Sequence, residues 1–236
     1  MVSFTSRARE PEILDRETPS QDILAQCYRF IRGVNRWFGG RRALLSRFEE
    51  FSKTWKAGER ITVLDVGVGA ADLPAALQRW AANRGYALRA VAVDIDPEVI
   101  RFARAEEPGI LFCQNDIKRL GFRDGAFDYV TCSMLFHHLG DEEVVGALRS
   151  FDRIARRGIV INDLLRRLRA WLWIKLFTLP FNRVLRYDGP LSVRKGFKVS
   201  EIRRLASEAG LDYLTARVHF GHRFTLAGQK PPAVSS

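Results

Sequence analysis

The chain predicts an α/β fold, a parallel sheet with helices on both faces, and three observations predict it. Short β-branched runs alternate with amphipathic helical runs through most of the 236 residues. The first of those runs, 61–66, breaks into a turn with glycines at 67 and 69 and then a helical pattern. The last part of the chain reads helix, strand, strand (200–208, 211–218 and 220–227), which is a terminal hairpin.

Each element has its own signal. Residues 1–19 carry breakers at Pro11 and Pro19 and read as a flexible arm. From Ser20, an N-cap residue, Ile23, Leu24, Cys27, Phe30, Ile31 and Val34 recur at helical spacing until Gly39-Gly40 ends the run. A second helix covers 43–55, so 20–58 forms an N-terminal helical cap. Strand-like runs follow at 61–66, 87–93, 110–113, 127–132 and 158–161, and helix-like runs at 71–83, 98–105 and 142–156. The main domain spans 59–228, and 229–236 reads as a disordered tail.

Segment 164–198 breaks the alternation. It holds nine Lys/Arg and a single acid, Asp188, so a net +8 of the chain's +11 lies in 35 residues. Trp171, Trp173, Phe177 and Phe181 are interleaved with those charges. Lys175 and Pro180 interrupt the apolar run, which is too short to span a bilayer. A basic, aromatic helix fits a lid over an apolar substrate and equally a weak membrane-surface contact.

Composition bounds the function class. The chain is 47% hydrophobic and 28% charged, with a pI near 10.1. Such charge suits an arginine-rich solvated surface, or an acidic substrate, an anionic membrane or nucleic acid. Cys27, Cys113 and Cys132 are scattered without a CxxC, against a disulfide framework or zinc site and in keeping with a reducing cytoplasm. The first twenty residues lack the apolar core of a signal peptide.

The glycine turn narrows the chemistry. Gly67 and Gly69 let backbone approach a nucleotide-like ligand. Position 72 is aspartate where the dinucleotide fingerprint needs glycine, and no Lys-Ser/Thr pair follows to cradle phosphate. A cofactor without phosphates is left. Asp94, closing the second strand, can accept two hydrogen bonds from a ribose diol, while Asp96 and Pro97 suit the start of the next helix.

The stretch Ile61-Thr-Val-Leu-Asp65-Val-Gly67-Val-Gly69 resembles motif I of the class I S-adenosylmethionine (SAM) methyltransferases. The resemblance covers about 60–163 and implies a Rossmann-like sheet of seven strands, the last antiparallel. It places Asp65 beside the methionine part of SAM, Asp94 on the ribose and Ile95 on the adenine face. It also makes Asp116 and Ile117, in Cys113-Gln-Asn-Asp-Ile117, the adenine site.

The loop Cys132-Ser133-Met-Leu-Phe-His137-His138 resembles the post-strand-four motif of small-molecule methyltransferases, lying between sulfonium and substrate. It lacks the Pro-Pro-aromatic loop of nucleic-acid amino-methylating enzymes, the Pro-Cys of cytosine-C5 enzymes and the paired glutamates of arginine methyltransferases. His137 is the favoured base for a phenol, His138 the second candidate, and both can equally serve only to shape the loop. No metal is expected, because spacing places no third ligand beside this pair.

Tyr28, Asn35 and Trp37 from the cap, Asp163 after the fifth strand and Arg194 in the insert are candidate substrate walls, with ordinary packing the plainer role for each. Flanking segments are similar to bacterial ubiquinone/menaquinone-type and polyketide- or phenol-tailoring enzymes. The expected acceptor is small and apolar, aromatic, phenolic or polyketide in kind, O- or C-methylated, in natural-product biosynthesis in the cytoplasm. A membrane-associated quinone methyltransferase is the first alternative and a nucleic-acid enzyme the second, with no nucleic-acid partner expected.

Overall fold

The computed structural model describes residues 3–17 and 19–231. A short α1 (Ile13–Arg16) precedes α2 (Gln21–Trp37) and α3 (Gly40–Phe51), which lead into β1 (Arg60–Val66). Then follow α4 (Asp72–Ala82), β2 (Ala87–Asp94), α5 (Pro97–Glu106), β3 (Leu111–Gln114), β4 (Phe127–Ser133), α6 (Asp141–Ile154) and β5 (Ala155–Leu164). The insert supplies α7 (Leu168–Phe177) and α8 (Arg183–Lys195), before α9 (Val199–Glu208), β6 (Thr215–His219) and β7 (Arg223–Gln229).

The strands form one seven-stranded sheet in the order β3-β2-β1-β4-β5-β7-β6. β1 to β5 are mutually parallel, while β7 runs antiparallel to both of its neighbours. The sheet is thus the seven-stranded arrangement that the glycine-turn resemblance implied. Strand order reverses at β1, between β2 and β4, where ligands bind at the carboxyl ends of open α/β sheets.

Each face of the sheet has its own core. On one, Leu64, Val130, Phe136, Leu148, Phe151, Phe197 and Leu226 pack together. On the other, Phe48 and Phe51 of α3 pack with Trp55, Trp80 and Tyr129, and Trp55 Nε1 donates to the Tyr129 hydroxyl at 2.8 Å. The cap is therefore part of the core. Buried Asp128 ties β4 to β1, accepting from Thr62 N–H and hydroxyl, each at 2.8 Å.

Two boundary expectations change. The arm expected over 1–19 is not loose across its described residues. Arg166 lies buried beneath it and donates to Phe4 O at 3.1 Å, Thr5 O at 3.3 Å and Gly196 O at 2.6 Å, and it pairs with Glu201. Arg7 donates to the carbonyls of His137 and Leu139 at 3.2 and 2.7 Å and lies over the Phe197 ring. Asp188 of α8 accepts from the first N–H groups of α1, Ile13 at 2.7 Å and Leu14 at 3.2 Å. Composition hid this because the arm's partners lie well over a hundred residues away. At the other end, Gln229 completes β7 and Lys230 N–H donates to Arg157 O at 2.7 Å, whereas 232–236 lie outside the described residues.

The insert folds as two helices, with Pro180 falling between them, and its charge is not all on the surface. Arg166 and Lys195 are buried and Arg194 pairs with Glu10 at 3.2 Å. Among the described residues no helix is long and apolar enough to cross a membrane.

Truncating Arg166 strands buried carbonyl acceptors, a loss of about 1–3 kcal/mol. Arg166→Met is expected to lower the unfolding free energy by about that amount and to expose the arm to protease first. Chemical denaturation and limited proteolysis check both.

Candidate active site

A single cavity of about 900 Å³ runs from the carboxyl ends of β1 and β2, past the β4 loop, to the arm and insert. One half is built by the glycine turn. Gly67 and Gly69 hold φ of +75° and +51°, the left-handed region that glycine enters without strain. A Cβ on Gly67 would lie 2.6 Å from Leu135 Cδ2, so β1 and the β4 loop approach closely only because it is absent. A Cβ on Gly69 would lie 3.6 Å from the Tyr28 ring.

Three carboxylates gather on this half. Asp65 is buried, and Thr131 Oγ1 donates to it at 2.6 Å. Burial pushes its carboxyl up to about 7, with Asp72 and Asp94 adding like charge. Burial also pushes Asp72 up, to about 6, despite the amide of Asn35 at 3.3 Å. Asp94 is raised by burial as well, partly offset by backbone N–H groups of Asp96, Gly69 and Ile95. Ser133 lines the same half, and its hydroxyl is buried without a hydrogen-bond partner among the described residues.

SAM fits this half. It carries a sulfonium and an ammonium, which meet the carboxylates, and it has polar groups for an orphaned hydroxyl. Asp65, Asp94 and Ser133 would hold it, with Ile95, exposed on the cavity wall, against its flat base.

At the other half, His137 and His138 close a 3-10 turn after β4. His137 is buried, with Nδ1 2.7 Å from Asp163 Oδ1 and its own N–H donating to Asp163 Oδ2 at 3.2 Å. Asp163 also accepts from Leu164 N–H at 2.7 Å. Burial pushes the Asp163 carboxyl up, but the His137 ring and these donors outweigh it and hold it below the usual carboxylate range. His138 has Nδ1 3.0 Å from Asp15 Oδ1. Around them the wall is apolar, with Leu14, Phe30, Phe38, Trp173, Ile174 and Leu185.

The structure brings together most of the residues expected from sequence, though not all in the expected roles. Asp65, Gly67, Gly69, Asp94, Ile95, Ser133, His137 and His138 line the cavity. Tyr28 lines it beside Gly69, on the cofactor half rather than the acceptor half. Asn35 spans the halves, accepting from Arg223 Nη2 at 3.1 Å while donating to Asp72.

Five of the expected residues do not line the cavity. Trp37 is 69% exposed on a shallow outer surface with Arg36 and Arg41, because α2 turns it away from the cavity. Arg194 is held by Glu10 outside the cavity wall. Asp163 lies behind His137, its oxygens accepting from the His137 ring and from the His137 and Leu164 N–H groups, which fixes that ring. Asp116 and Ile117 also lie outside the wall, and Asp116 caps the following turn through Lys118 N–H at 2.9 Å.

Other wall residues had no sequence signal. Glu12 and Asp15 come from the arm, Arg223 from β7 and Asp72 from α4. Asp72 counted only as a missing glycine, and the rest are brought in by tertiary contacts. Glu12 also supplies a third donor beside the two histidines, which spacing did not.

Residues 63–158 match the family described as methyltransferase domain. No curated protein matches the chain in sequence. Among solved structures, a SAM-dependent methyltransferase from Aquifex aeolicus is similar at TM-score 0.58 and 16% identity, over 87% of this chain and 97% of that one. Human N-acetylserotonin methyltransferase, solved with SAM, is similar at TM-score 0.66 and 17% identity, over 94% of this chain and 63% of that one. An O-methyltransferase family 2 protein from Planctomyces limnophilus, in complex with apigenin, gives TM-score 0.60 and 14% identity over 92% and 63%. The chain thus spans about 63% of the length of those last two, and at these identities the likeness is one of fold.

The raised carboxyls predict how cofactor affinity follows pH. SAM's cation favours their ionised forms, so affinity is expected to rise as pH climbs through about 6 to 7. Asp65→Asn should flatten that rise, and Asp94→Ala should weaken SAM binding at every pH, both read by calorimetry. Residues 63–158 thus match a methyltransferase domain, and the sheet that holds them has the seven-stranded topology of the class I SAM-dependent methyltransferase fold.

Proposed function

We propose that the protein transfers the methyl group of SAM to a hydroxyl oxygen of a small, largely apolar acceptor, aromatic or polyketide in kind. The carrying observation is His137, buried on the wall of an apolar cavity with Nδ1 against Asp163 at 2.7 Å. With Nδ1 keeping its proton and donating it in a hydrogen bond to that carboxylate, the Nε2 lone pair is free to take the acceptor's hydroxyl proton. The acceptor oxygen then forms a bond to the methyl carbon as the carbon–sulfur bond breaks. The electron pair stays on sulfur as S-adenosylhomocysteine leaves.

The sulfonium is already a strong electrophile. The chain's contribution is therefore alignment and exclusion of water. The insert serves the second task, because Trp173 and Ile174 of α7 and Leu185 of α8 line the cavity. A role in natural-product tailoring is supported by the neighbour solved with apigenin.

A second reading is a quinone-type enzyme at a membrane surface, on the cytoplasmic side. Its support is on α7 and just after it, where Leu172, Leu176 and Leu179 are exposed among Arg169, Lys175 and Arg183. Liposome co-sedimentation with and without anionic lipid separates the two readings.

His137→Ala is expected to lower kcat for hydroxyl acceptors by roughly 10²–10⁴-fold while SAM affinity stays as in the wild type. Asp163→Asn, which reverses the hydrogen-bond demand on Nδ1, should follow it. Labelled-methyl transfer over a panel of phenols reads this, and an undiminished kcat sinks the role of His137. Trp173→Ala should raise acceptor KM, and an unchanged KM argues against the lid.

A further inference from the structure

Three acceptor atoms from distant parts of the chain face one another in the acceptor half. His137 Nε2 lies 4.0 Å from Glu12 Oε1, and His138 Nε2 lies 3.9 Å from Glu12 Oε2. The two rings are 4.3 Å apart between centroids, and the three donor atoms all lie within 4.8 Å of one another.

The other nitrogen of each ring is already committed. His137 Nδ1 meets Asp163 at 2.7 Å and His138 Nδ1 meets Asp15 at 3.0 Å. A carboxylate on Nδ1 draws the proton there, so each Nε2 presents a lone pair. This is how the outer partners of metal-bound histidines fix tautomer and ring orientation. Two lone pairs and a buried carboxylate pointed at a common centre repel, unless something positive lies between them.

The local charge agrees. Glu12, Asp15 and Asp188 line this end of the cavity. One ammonium faces them, Lys195 Nζ, 3.1 Å from Asp15 and 3.6 Å from Glu12, and it approaches from outside the wall. Ser192 Oγ adds a neutral donor to Glu12 at 2.9 Å. Carboxylates outnumber the ammonium at this end of the cavity, which favours a bound cation.

We propose that Glu12, His137 and His138 bind a divalent transition-metal cation of the Zn²⁺ or Co²⁺ type, with a coordination position open to the cavity. Ligands about 2.0–2.2 Å from a tetrahedral ion lie roughly 3.3–3.6 Å apart, so donors within 4.8 Å of one another need to close by up to about 1.5 Å. Two imidazoles and one carboxylate suit such ions better than Mg²⁺ or Ca²⁺, which prefer all-oxygen shells. The acceptor's hydroxyl oxygen completes the coordination. This rests on the reading that a hydroxyl acceptor enters this end; with the ion bound the His137 Nε2 lone pair is a ligand and no longer a base, and a hydroxyl acidified by the ion would lose its proton to solvent water instead.

The test is Co²⁺ titration of the full-length chain after chelator dialysis, followed by visible absorption and calorimetry. One equivalent is expected to bind, with an affinity loss of at least about 100-fold in Glu12→Gln and in His138→Ala. Asp15→Asn should lose about 10–100-fold, as outer partners do. Cys113→Ser controls for thiol binding and should bind as the wild type does. SAM affinity measured on the same samples reports that each variant is folded. Absence of saturable binding by the wild type, or binding indifferent to Glu12→Gln, overturns the site. Should His137→Ala abolish transfer while chelator does not and Co²⁺ fails to bind, His137 stands as a base and the metal site falls. Should Co²⁺ bind as expected while no hydroxyl acceptor is methylated, the metal site stands and the acceptor reading falls.

Discussion

The Asp163 carboxylate at the end of β5 is the constraint from which the acceptor half is built. Taking an ionised carboxylate out of water costs several kcal/mol unless hydrogen bonds and nearby positive charge repay it. Here the His137 ring, His137 N–H and Leu164 N–H all converge on it, with Arg223 close enough to help hold it ionised. Those donors come from the β4 loop and from β5 itself, and Arg223 comes from β7, which pairs with β5 antiparallel. The turn after β4 therefore cannot shift without uncovering a buried charge. Met134, at the bend before the histidines, holds a φ of +58°, and its backbone N–H is bonded to Asn162 O at 3.0 Å. A non-glycine residue keeps that conformation only where its surroundings over-determine it.

Arg223 links this end to the cofactor end. Burial lowers its guanidinium to about 10, with Asp163 and Asp72 pulling the other way. It donates to Asn35, which donates to Asp72, so one polar chain runs from the cofactor half to the base of the acceptor half. Asn35 also lies against Gly40 at the start of α3, where no side chain larger than hydrogen would fit. The helical cap is thereby fixed to the site through a hydrogen-bonded side chain as well as through the aromatic packing beneath it. A methyl donor and an acceptor must be held in line at close range, and a shared rigid chain of contacts between their two sites serves that end.

Legibility in the sequence followed the range of the interaction. The sheet was readable because strand and helix periods repeat locally, and its cofactor end because a strand, a glycine turn and an acid lie within nine residues, 61–69. The His137–His138 loop was readable for the same reason. Glu12 and Asp15 were not, since they meet the histidines across more than a hundred residues through an arm whose composition reads as loose. Asp163 was legible as a polar group at the sheet edge, but not its bonds to His137, because sequence position does not show which way a side chain's bonds are spent. Trp37 was misjudged in the opposite sense. It sits at the end of α2, where the helix has turned its aromatic residue outward, while Phe38 one position on reaches the cavity.

The arm's attachment also constrains how substrates reach the site. Arg7 and Arg166 clamp the arm to the β4 loop and to the start of the insert, and Asp188 fixes α1 to α8. Glu12 and Asp15 therefore line the end of the cavity that holds the two histidines. Phe38, Trp173 and Phe220 line the wall elsewhere, and the last two stay substantially exposed. Phe38 lies 4.4 Å from Trp173 between ring centroids, so the wall between α2 and α7 is held by aromatic contact rather than by buried hydrogen bonds or ion pairs. Such a contact can part and re-form at a cost of about 0.5–1.5 kcal/mol beyond the area it covers. Breaking the arm's clamp would strand several buried carbonyls and a guanidinium. Of the two walls, the aromatic one is the less costly to open, and an apolar acceptor entering there would replace the ring contacts it displaces. Its polar end would then point toward the histidines.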